Sequence, residues 1–315
     1  MNKRHLLSLL AALLIPIGAS HAEDRKIDKL LTPDIGGIKQ AIDIKTDDSG
    51  KPILLFLSGG PGSSMMNGAS AFTDALKTRF TIVQWDQRDA GKTLKLNPSP
   101  IPPTVAQMSE DTYQVIQFIT KRLGQKKIYL LGSSWGNVLG FEMVKQHPEL
   151  LHAYFAVNPV VSQLASEQEL LRILKNRFKD NPVASAELAS VHLPFKADED
   201  LFYLRKWLFY SEGKTTVTGN DFKTGFLQWS KTWSPVWNEV MAADLPHTLN
   251  NVDCPVYFLV GQNDIQTSTA ITMAYFEALK APRKDLFLFE KSGHQIHRDE
   301  PEKFQATILT LLDRN

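Results

Sequence analysis

Apolar residues in this chain gather in short continuous runs instead of alternating strictly with polar ones. The runs are 52–57, 81–85, 127–131, 153–157, 256–260 and 285–290, each closed by glycine, proline or charged residues. Runs of this length, rich in Ile, Val, Leu, Tyr and Phe, suit strands buried on both faces of a parallel sheet. Between them the period lengthens to that of helices. Ser109 is placed to cap a helix through Leu123, with Val115, Ile116, Phe118 and Ile119 facing inward and Gly124 as its stop. A second helix follows Gly136 and ends near His147-Pro148, and a third spans Pro301 to Leu312. Strands and helices in alternation predict an α/β protein with a mostly parallel central sheet and helices on both faces. Ahead of this pattern, from Thr32, Gly36-Gly37 marks a hairpin turn whose returning strand carries Ile38, Ala41, Ile42 and Ile44.

The alternation stops after Asn158-Pro159 and resumes only at Pro255. Residues 161–245 read as helices and loops, with a helix over Glu167 to Lys179 and three tryptophans, Trp229, Trp233 and Trp237. An insertion at this point, above the strand ends, is expected to be a helical lid over a pocket. The expected division is therefore 23–160 for the first part of the core, 161–245 for the lid and 246–315 for the rest of the core. Trp229 and Trp233 are four apart and share a helix face, where they form either a core stripe or a pocket wall; the core is the expected place.

Residues 1–22 have a different character. Lys3, Arg4 and His5 precede an apolar stretch from Leu6 to Ile17, and Ser20-His21-Ala22 offers small residues for cleavage. This pattern predicts a secretory signal peptide cut after Ala22, leaving a periplasmic or secreted protein that begins at Glu23; uncut, the same segment would be a membrane anchor. No later stretch reaches the ~20 apolar residues of a transmembrane helix.

Composition narrows the chemistry further. The chain has 315 residues, 43% hydrophobic and 22% charged, with a net charge of +1, so neither nucleic acid nor another polyanion is an expected partner. Its single cysteine, Cys254, cannot form an intramolecular disulfide and precedes an apolar run, where a buried small hydrophobe is expected. With eight scattered histidines and no paired-histidine helix motif, no metal or cofactor is expected.

The candidate chemistry centres on Gly132-Ser133-Ser134-Trp135-Gly136, which directly follows the run 127–131 and opens a helix. A strand that turns into a helix within a few residues needs glycines where Cβ atoms would collide, and it holds one side chain outward. Ser134 is the candidate nucleophile, and the Trp135 amide at the helix start is one half of a candidate oxyanion hole. Ser58-Gly59-Gly60-Pro61-Gly62 closes the run 52–57 where open α/β sheets bind ligands, and the Gly60 amide is the candidate second donor. Asp264 follows the run 256–260, and His294 follows the run 285–290 within Ser292-Gly293-His294. Serine needs a base, and the base needs an orienting acid; Ser134, His294 and Asp264 supply these in the roles of nucleophile, base and orienter. His297 is the nearest competitor for the base, and Asp253 precedes its strand and so sits at the wrong end of the sheet.

Ser58-Gly59-Gly60-Pro61-Gly62, Trp85-Asp86-Gln87-Arg88, Gly132-x-Ser134-Trp135-Gly136, Gly261-x-x-Asp264 and Ser292-Gly293-His294 together resemble the α/β-hydrolase fold, specifically its proline iminopeptidase-like branch, peptidase family S33. The resemblance spans the core on both sides of the expected lid. It implies a Ser134–Asp264–His294 triad, an oxyanion hole from Gly60 and Trp135, and a small-molecule or short-peptide substrate. Two departures stand out: the family's glycine loop usually opens with histidine where this chain has Ser58, and its Asp-Gln-Arg motif usually continues with glycine where this chain has Asp89. The lid glutamates that hold the substrate's free amine in prolyl aminopeptidases are not found in their usual contexts; Glu239 is the nearest candidate substrate contact, with Glu167 and Glu169 behind it. The function expected is thus a secreted serine hydrolase acting through an acyl-enzyme on a small amide or ester, proline iminopeptidase-like. The alternatives are a carboxylesterase or other small-acyl hydrolase, and a non-catalytic binding protein with the same fold. Dehalogenase and epoxide hydrolase chemistry needs a carboxylate where Ser134 stands.

Overall fold

A computed structural model describes residues 25–312; the expected signal peptide at 1–22 lies outside the described residues. The chain opens with strand β1 (Ile27–Leu31) and the short strands β2 (Asp34–Ile35) and β3 (Ile38–Lys39), followed by β4 (Ile42–Thr46) and β5 (Ile53–Leu57). Next come helix α1 (Ser70–Thr73), strand β6 (Thr81–Trp85), helices α2 (Gly91–Leu96) and α3 (Val105–Leu123), strand β7 (Ile128–Ser133), helix α4 (Gly136–Gln146) and strand β8 (Leu151–Val157). Helices α5 (Gln163–Arg177), α6 (Pro182–Ala189), α7 (Asp198–Ser211), α8 (Asn220–Val240) and α9 (Leu245–Thr248) follow without an intervening strand. The chain then returns to β9 (Val256–Gly261), α10 (Thr269–Ala278), β10 (Lys284–Phe289), α11 (Ile296–Asp299) and α12 (Pro301–Leu312).

Eight of the strands form one sheet in the order β1-β4-β6-β5-β7-β8-β9-β10. From β6 to β10 all neighbours are parallel, while β4 pairs antiparallel with both β1 and β6. The unbroken apolar runs are explained by burial on both faces. In β5, Ile53, Leu55 and Leu57 enter the cluster shared with α3 and α4, whereas Leu54 and Phe56 enter the opposite cluster with α1 and α12. In β7, Ile128 and Leu130 divide from Tyr129 and Leu131 in the same way. Burying each such side chain contributes roughly 1.5–3 kcal/mol, so the parallel strands are held from both sides and their C-terminal ends form a fixed edge. The helices between β8 and β9 add a smaller core of their own, in which Leu170, Leu174, Leu188, Leu204 and Trp207 pack together. Among the described residues no helix is long and apolar enough to cross a membrane.

Two local expectations are revised, and one strand was not foreseen. Helix α3 begins at Val105, capped by Thr104, whose hydroxyl accepts from the Gln107 amide at 3.1 Å. Ser109 lies inside the helix instead, because Thr104 already has the extended backbone of a cap residue, with φ of −124° and ψ of 160°. Gly124 does end the helix, in a left-handed conformation with φ of 66°. The Gly36-Gly37 hairpin exists but its ladder is only Asp34–Ile35 against Ile38–Lys39, since Ile42 onward is drawn into the main sheet between β1 and β6. The edge strand β1 had no apolar run to announce it, being largely exposed.

Candidate active site

The segment around Ser134 turns from β7 directly into α4, and Ser134 itself has a positive φ of 52°. A residue other than glycine at positive φ is uncommon and costs conformational energy, so the surroundings must impose it. They do so by leaving no room for alternatives. A Cβ on Gly132 would meet the Tyr154 hydroxyl at 2.4 Å and the Gly136 carbonyl at 2.9 Å, and one on Gly136 would meet the Leu57 carbonyl at 2.2 Å. Asn137 then ties the turn to β8, donating to the Ser134 carbonyl at 3.1 Å and the Val157 carbonyl at 2.9 Å while accepting from the Tyr154 hydroxyl at 2.6 Å.

The structure brings Ser134, His294 and Asp264 together. His294 Nε2 is 2.9 Å from Ser134 Oγ, and His294 Nδ1 is 2.7 Å from Asp264 Oδ2. With the ring proton on Nδ1, the imidazole donates to Asp264 and presents Nε2 as an acceptor to the serine hydroxyl. All three are buried. Asp264 also receives the Gln266 and Thr267 amides at 2.8 and 3.1 Å on Oδ1, and the Thr267 hydroxyl at 2.8 Å on Oδ2. Burial alone would push this carboxyl up, but the facing His294 imidazole and the Thr267 hydrogen bonds outweigh it, so the net direction is down and the group stays ionised.

Gly60 and Trp135 lie on the two segments that flank this trio. Gly59 runs so close to the serine turn that a Cβ on it would lie 3.3 Å from Ser134 Cβ, and Gly60 follows with a φ of 123°, a region open mainly to glycine. Trp135 is the residue that opens α4. Its indole Nε1 donates to Gln87 Oε1 at 3.0 Å, and Gln87 Nε2 donates to the Ser58 carbonyl at 3.1 Å, so one side chain joins the glycine loop to the serine turn. Arg88 anchors the neighbouring chain through a buried pairing with Asp111 at 2.9 and 3.0 Å.

A cavity of about 410 Å³ opens over Ser134 and His294. Its floor is the glycine loop, and its roof comes from the helices after β8, including Arg205, Phe226, Trp229 and Trp237. Trp229 and Trp233 take different roles: Trp233 is buried in the core, while half-buried Trp229 lines the cavity and donates from Nε1 to the Pro61 carbonyl at 3.0 Å.

Glu239 is a correction. It is exposed, away from the cavity, and its Oε2 accepts from the Val105 amide at 3.1 Å at the start of α3. An acidic group beside free amides at a helix N-terminus is stabilised by them, so Glu239 serves a helix end and not a substrate. Glu169 pairs with Arg172 on the surface, and Glu167 is buried behind Arg205. His297 faces the cavity but does not reach Ser134; its ring packs 4.9 Å from that of Phe72. Cys254 is buried, and burial pushes its thiol up to about 12. Asp253 is exposed ahead of β9, at the opposite end of that strand from Asp264.

Two positioning residues escaped the sequence reading. Asn158 (φ 40°) accepts the Gly261 amide at 2.7 Å and donates to the Gly293 carbonyl at 3.2 Å, linking the loops that carry Asp264 and His294. Thr267, three residues after Asp264, was legible only as an Asx-type turn partner.

The profile of the alpha/beta hydrolase fold matches residues 52–301, and the chain belongs to that family. Within it the chain is similar to a probable aminopeptidase, YbaC of Bacillus subtilis (strain 168), at 27% identity over 297 residues covering 87% of this chain and 93% of the relative. It is also similar to the proline iminopeptidase of Heyndrickxia coagulans, at 25% identity over 275 residues covering 84% and 91%. In fold it matches the crystal structure of VinJ with a TM-score of 0.66 at 20% identity, covering 91% of this chain and 98% of that one. The chain is thus a hydrolase of the α/β-hydrolase fold, proline iminopeptidase-like.

Two outcomes follow. Glu239→Gln keeps kcat/KM within about twofold and lowers stability by less than about 1 kcal/mol; a tenfold loss of kcat/KM would restore Glu239 to the site. His297 is held down to about 4, first by burial and then by the charges of Arg298 and His294. Its folded value lies below the unfolded one of about 6.5, so the unfolded chain takes the proton first and stability is lost as pH falls between the two, by roughly 3 kcal/mol at most. Urea unfolding of the parent and His297→Phe at about pH 7 and pH 4.5 checks this: the parent loses ground to the variant at the lower pH, and a pH-independent difference contradicts it.

Proposed function

We propose that this chain is an exported serine hydrolase that cleaves small esters or amides through an acyl-enzyme on Ser134. The observation that carries the reading is the unbroken relay from Ser134 Oγ through His294 to Asp264, at 2.9 and 2.7 Å, on the floor of a cavity. As Ser134 Oγ attacks the substrate carbonyl carbon, His294 Nε2 takes its proton, and Asp264 stabilises the imidazolium and fixes the ring. Negative charge then grows on the carbonyl oxygen, where the amides of Gly60 and Trp135 are the donors. Collapse of the tetrahedral adduct expels the leaving group, which receives the proton from His294 and leaves the acyl group on Ser134. A water molecule repeats the sequence, giving its proton to His294 and releasing the acid. The helices between β8 and β9 act in this reading as the lid that keeps bulk water away. Export is supported by the basic start, the apolar stretch and the small residues ahead of Glu23.

A narrower reading, release of an N-terminal residue, is supported by the names of the two relatives, a probable aminopeptidase and a proline iminopeptidase. A free α-amine needs a carboxylate partner, and no Asp or Glu lines the cavity among the described residues. Substrates without a free amine, and esters in particular, therefore fit the cavity better. A purely binding role is disfavoured, because a binding protein has no use for a base held against a serine hydroxyl.

The test compares p-nitrophenyl butyrate with proline p-nitroanilide, using the mature protein and Ser134→Ala. Ester turnover is expected to fall at least about 10³-fold in the variant, and a brief incubation of the parent should leave a butyryl group on the Ser134 peptide in mass spectrometry. Undiminished turnover by Ser134→Ala would end the serine reading, and faster cleavage of the anilide than the ester would favour the aminopeptidase. For export, the intact mass of protein from a periplasmic extract should correspond to a chain starting at Glu23; a retained 1–22 segment speaks against cleavage.

A further inference from the structure

The walls of the cavity over Ser134 carry charge of one sign. Arg205, Lys214 and Arg298 line it, and among the described residues no carboxylate does. Lys214 and Arg298 are exposed, and Lys214 Nζ is 3.0 Å from Glu212 and 4.5 Å from the centre of the Phe209 ring. Arg205 differs in kind. It is only 4% exposed, and a guanidinium is rarely taken so far out of water without a purpose for its donors.

Glu167 explains how Arg205 is held. Its carboxylate takes Arg205 Nη1 at 2.8 Å on Oε2 and Nη2 on Oε1, and Gln163 Nε2 supports Oε1 at 2.5 Å. On its other side the guanidinium carbon lies 5.5 Å from the centre of the Trp237 ring. Two of the five N–H donors of the guanidinium are thus used by Glu167, and Arg205 is among the residues that line the cavity. Glu167 itself is fully buried and does not line the cavity. The ion pair is thus arranged with its cation at the cavity wall and its anion behind. Trp237 also lines the cavity, though its Nε1 is itself buried and has no hydrogen-bond partner among the described residues, so the cations of this wall face no charged acceptor in the cavity lining.

We propose that the cavity recognises a carboxylate, held by Arg205, and that the substrates are small esters or amides bearing a carboxylate remote from the bond that is cut. The proposal rests on the reading of Ser134 as the nucleophile for its reaction but not for its binding site. A planar guanidinium oriented from behind by Glu167 matches a carboxylate bidentately and loses little freedom on binding. Lys214 and Arg298 at the exposed rim add attraction for an anion and, being in water, contribute less. A cationic amine meets only like charge here.

Three ligands with one skeleton separate the cases: monomethyl glutarate, methyl pentanoate and methyl 4-aminobutanoate end in a carboxylate, a methyl and an ammonium group. Each is titrated into full-length Ser134→Ala protein by calorimetry, so that none is consumed. Monomethyl glutarate is expected to bind at least ~10-fold more tightly than methyl pentanoate, with methyl 4-aminobutanoate the weakest. In the same background, Glu167→Gln with Arg205→Gln removes both charges together and leaves no buried charge unpaired; it should bring the first two affinities to within about twofold. Equal binding of the acid and the neutral ester, or tighter binding of the amine, overturns the proposal, and the ligand series does so whether or not the double variant folds. Retention of the acid preference by a folded double variant removes Arg205 from the role. Parallel hydrolysis of the three esters by the parent keeps the two readings apart. Charge-selective binding without Ser134-dependent turnover sinks the hydrolase and leaves the carboxylate site standing, whereas turnover with no charge preference does the reverse.

Discussion

The structure depends on one turn. Ser134 sits at a φ of 52° between a strand and a helix, with glycines at 132 and 136 because backbone and the Tyr154 hydroxyl fill the space a side chain would need. Strain of this sort persists only where the surroundings over-determine it. Here β7 lies inside a parallel sheet buried on both faces, α4 packs against the same core, and Asn137 fastens the turn to β8. The outward serine is therefore a product of the whole sheet rather than of its pentapeptide alone. The glycines permit the turn, and the packed sheet enforces it.

Reaction chemistry needs groups from distant parts of the chain to hold position within tenths of an ångström. Four parallel strands supply them from one edge: β5 the glycine loop, β7 the serine, β9 the aspartate and β10 the histidine. The loops themselves are cross-linked by amides that carry no charge. Gln87 joins the Ser58 carbonyl to the Trp135 indole, and Asn158 joins the start of the Asp264 loop to the carbonyl just before His294. Neutral side chains with one donor and one acceptor end suit this task, because they fix distances without adding a charge beside Asp264.

What the sequence made legible was what is local. Continuous apolar runs revealed the parallel strands because both of their faces are buried, and the glycine patterns marked the turns that only glycine can make. The trio of Ser134, Asp264 and His294 was legible because each follows a strand end, and parallel strands bring such ends to one edge. What failed was long-range or ambiguous. Ser109 has the chemistry of a cap, but Thr104, just after Pro102-Pro103, reaches the capping geometry first. Glu239 has the chemistry of an amine ligand, yet α8 delivers it to the first turn of α3. Its neighbour Trp237, two residues away, does line the cavity, and a helix sends residues two apart to different faces. Arg205 and Glu167 are 38 residues apart, and nothing in either segment announces the other.

That pairing shows how a shared scaffold can serve different substrates. The relay at Ser134 is neutral as to what surrounds the carbonyl, since it acts only on the carbonyl and the leaving group. In the proposed reading selectivity would fall to the helices between β8 and β9, which build a small core of their own while their roof aromatics Phe226, Trp229 and Trp237 pack on the main core. Within that roof the sign of the wall is set by depth. Glu167 is fully buried while Arg205 stands in front of it at the cavity surface, so a formally neutral pair presents a positive face. A reversed pair, with the acid in front, would present a negative face on the same backbone and attract an amine. Because burying either partner without the other costs several kcal/mol, the two positions must change together, and on the proposed reading the charge a substrate can carry is set by the pair.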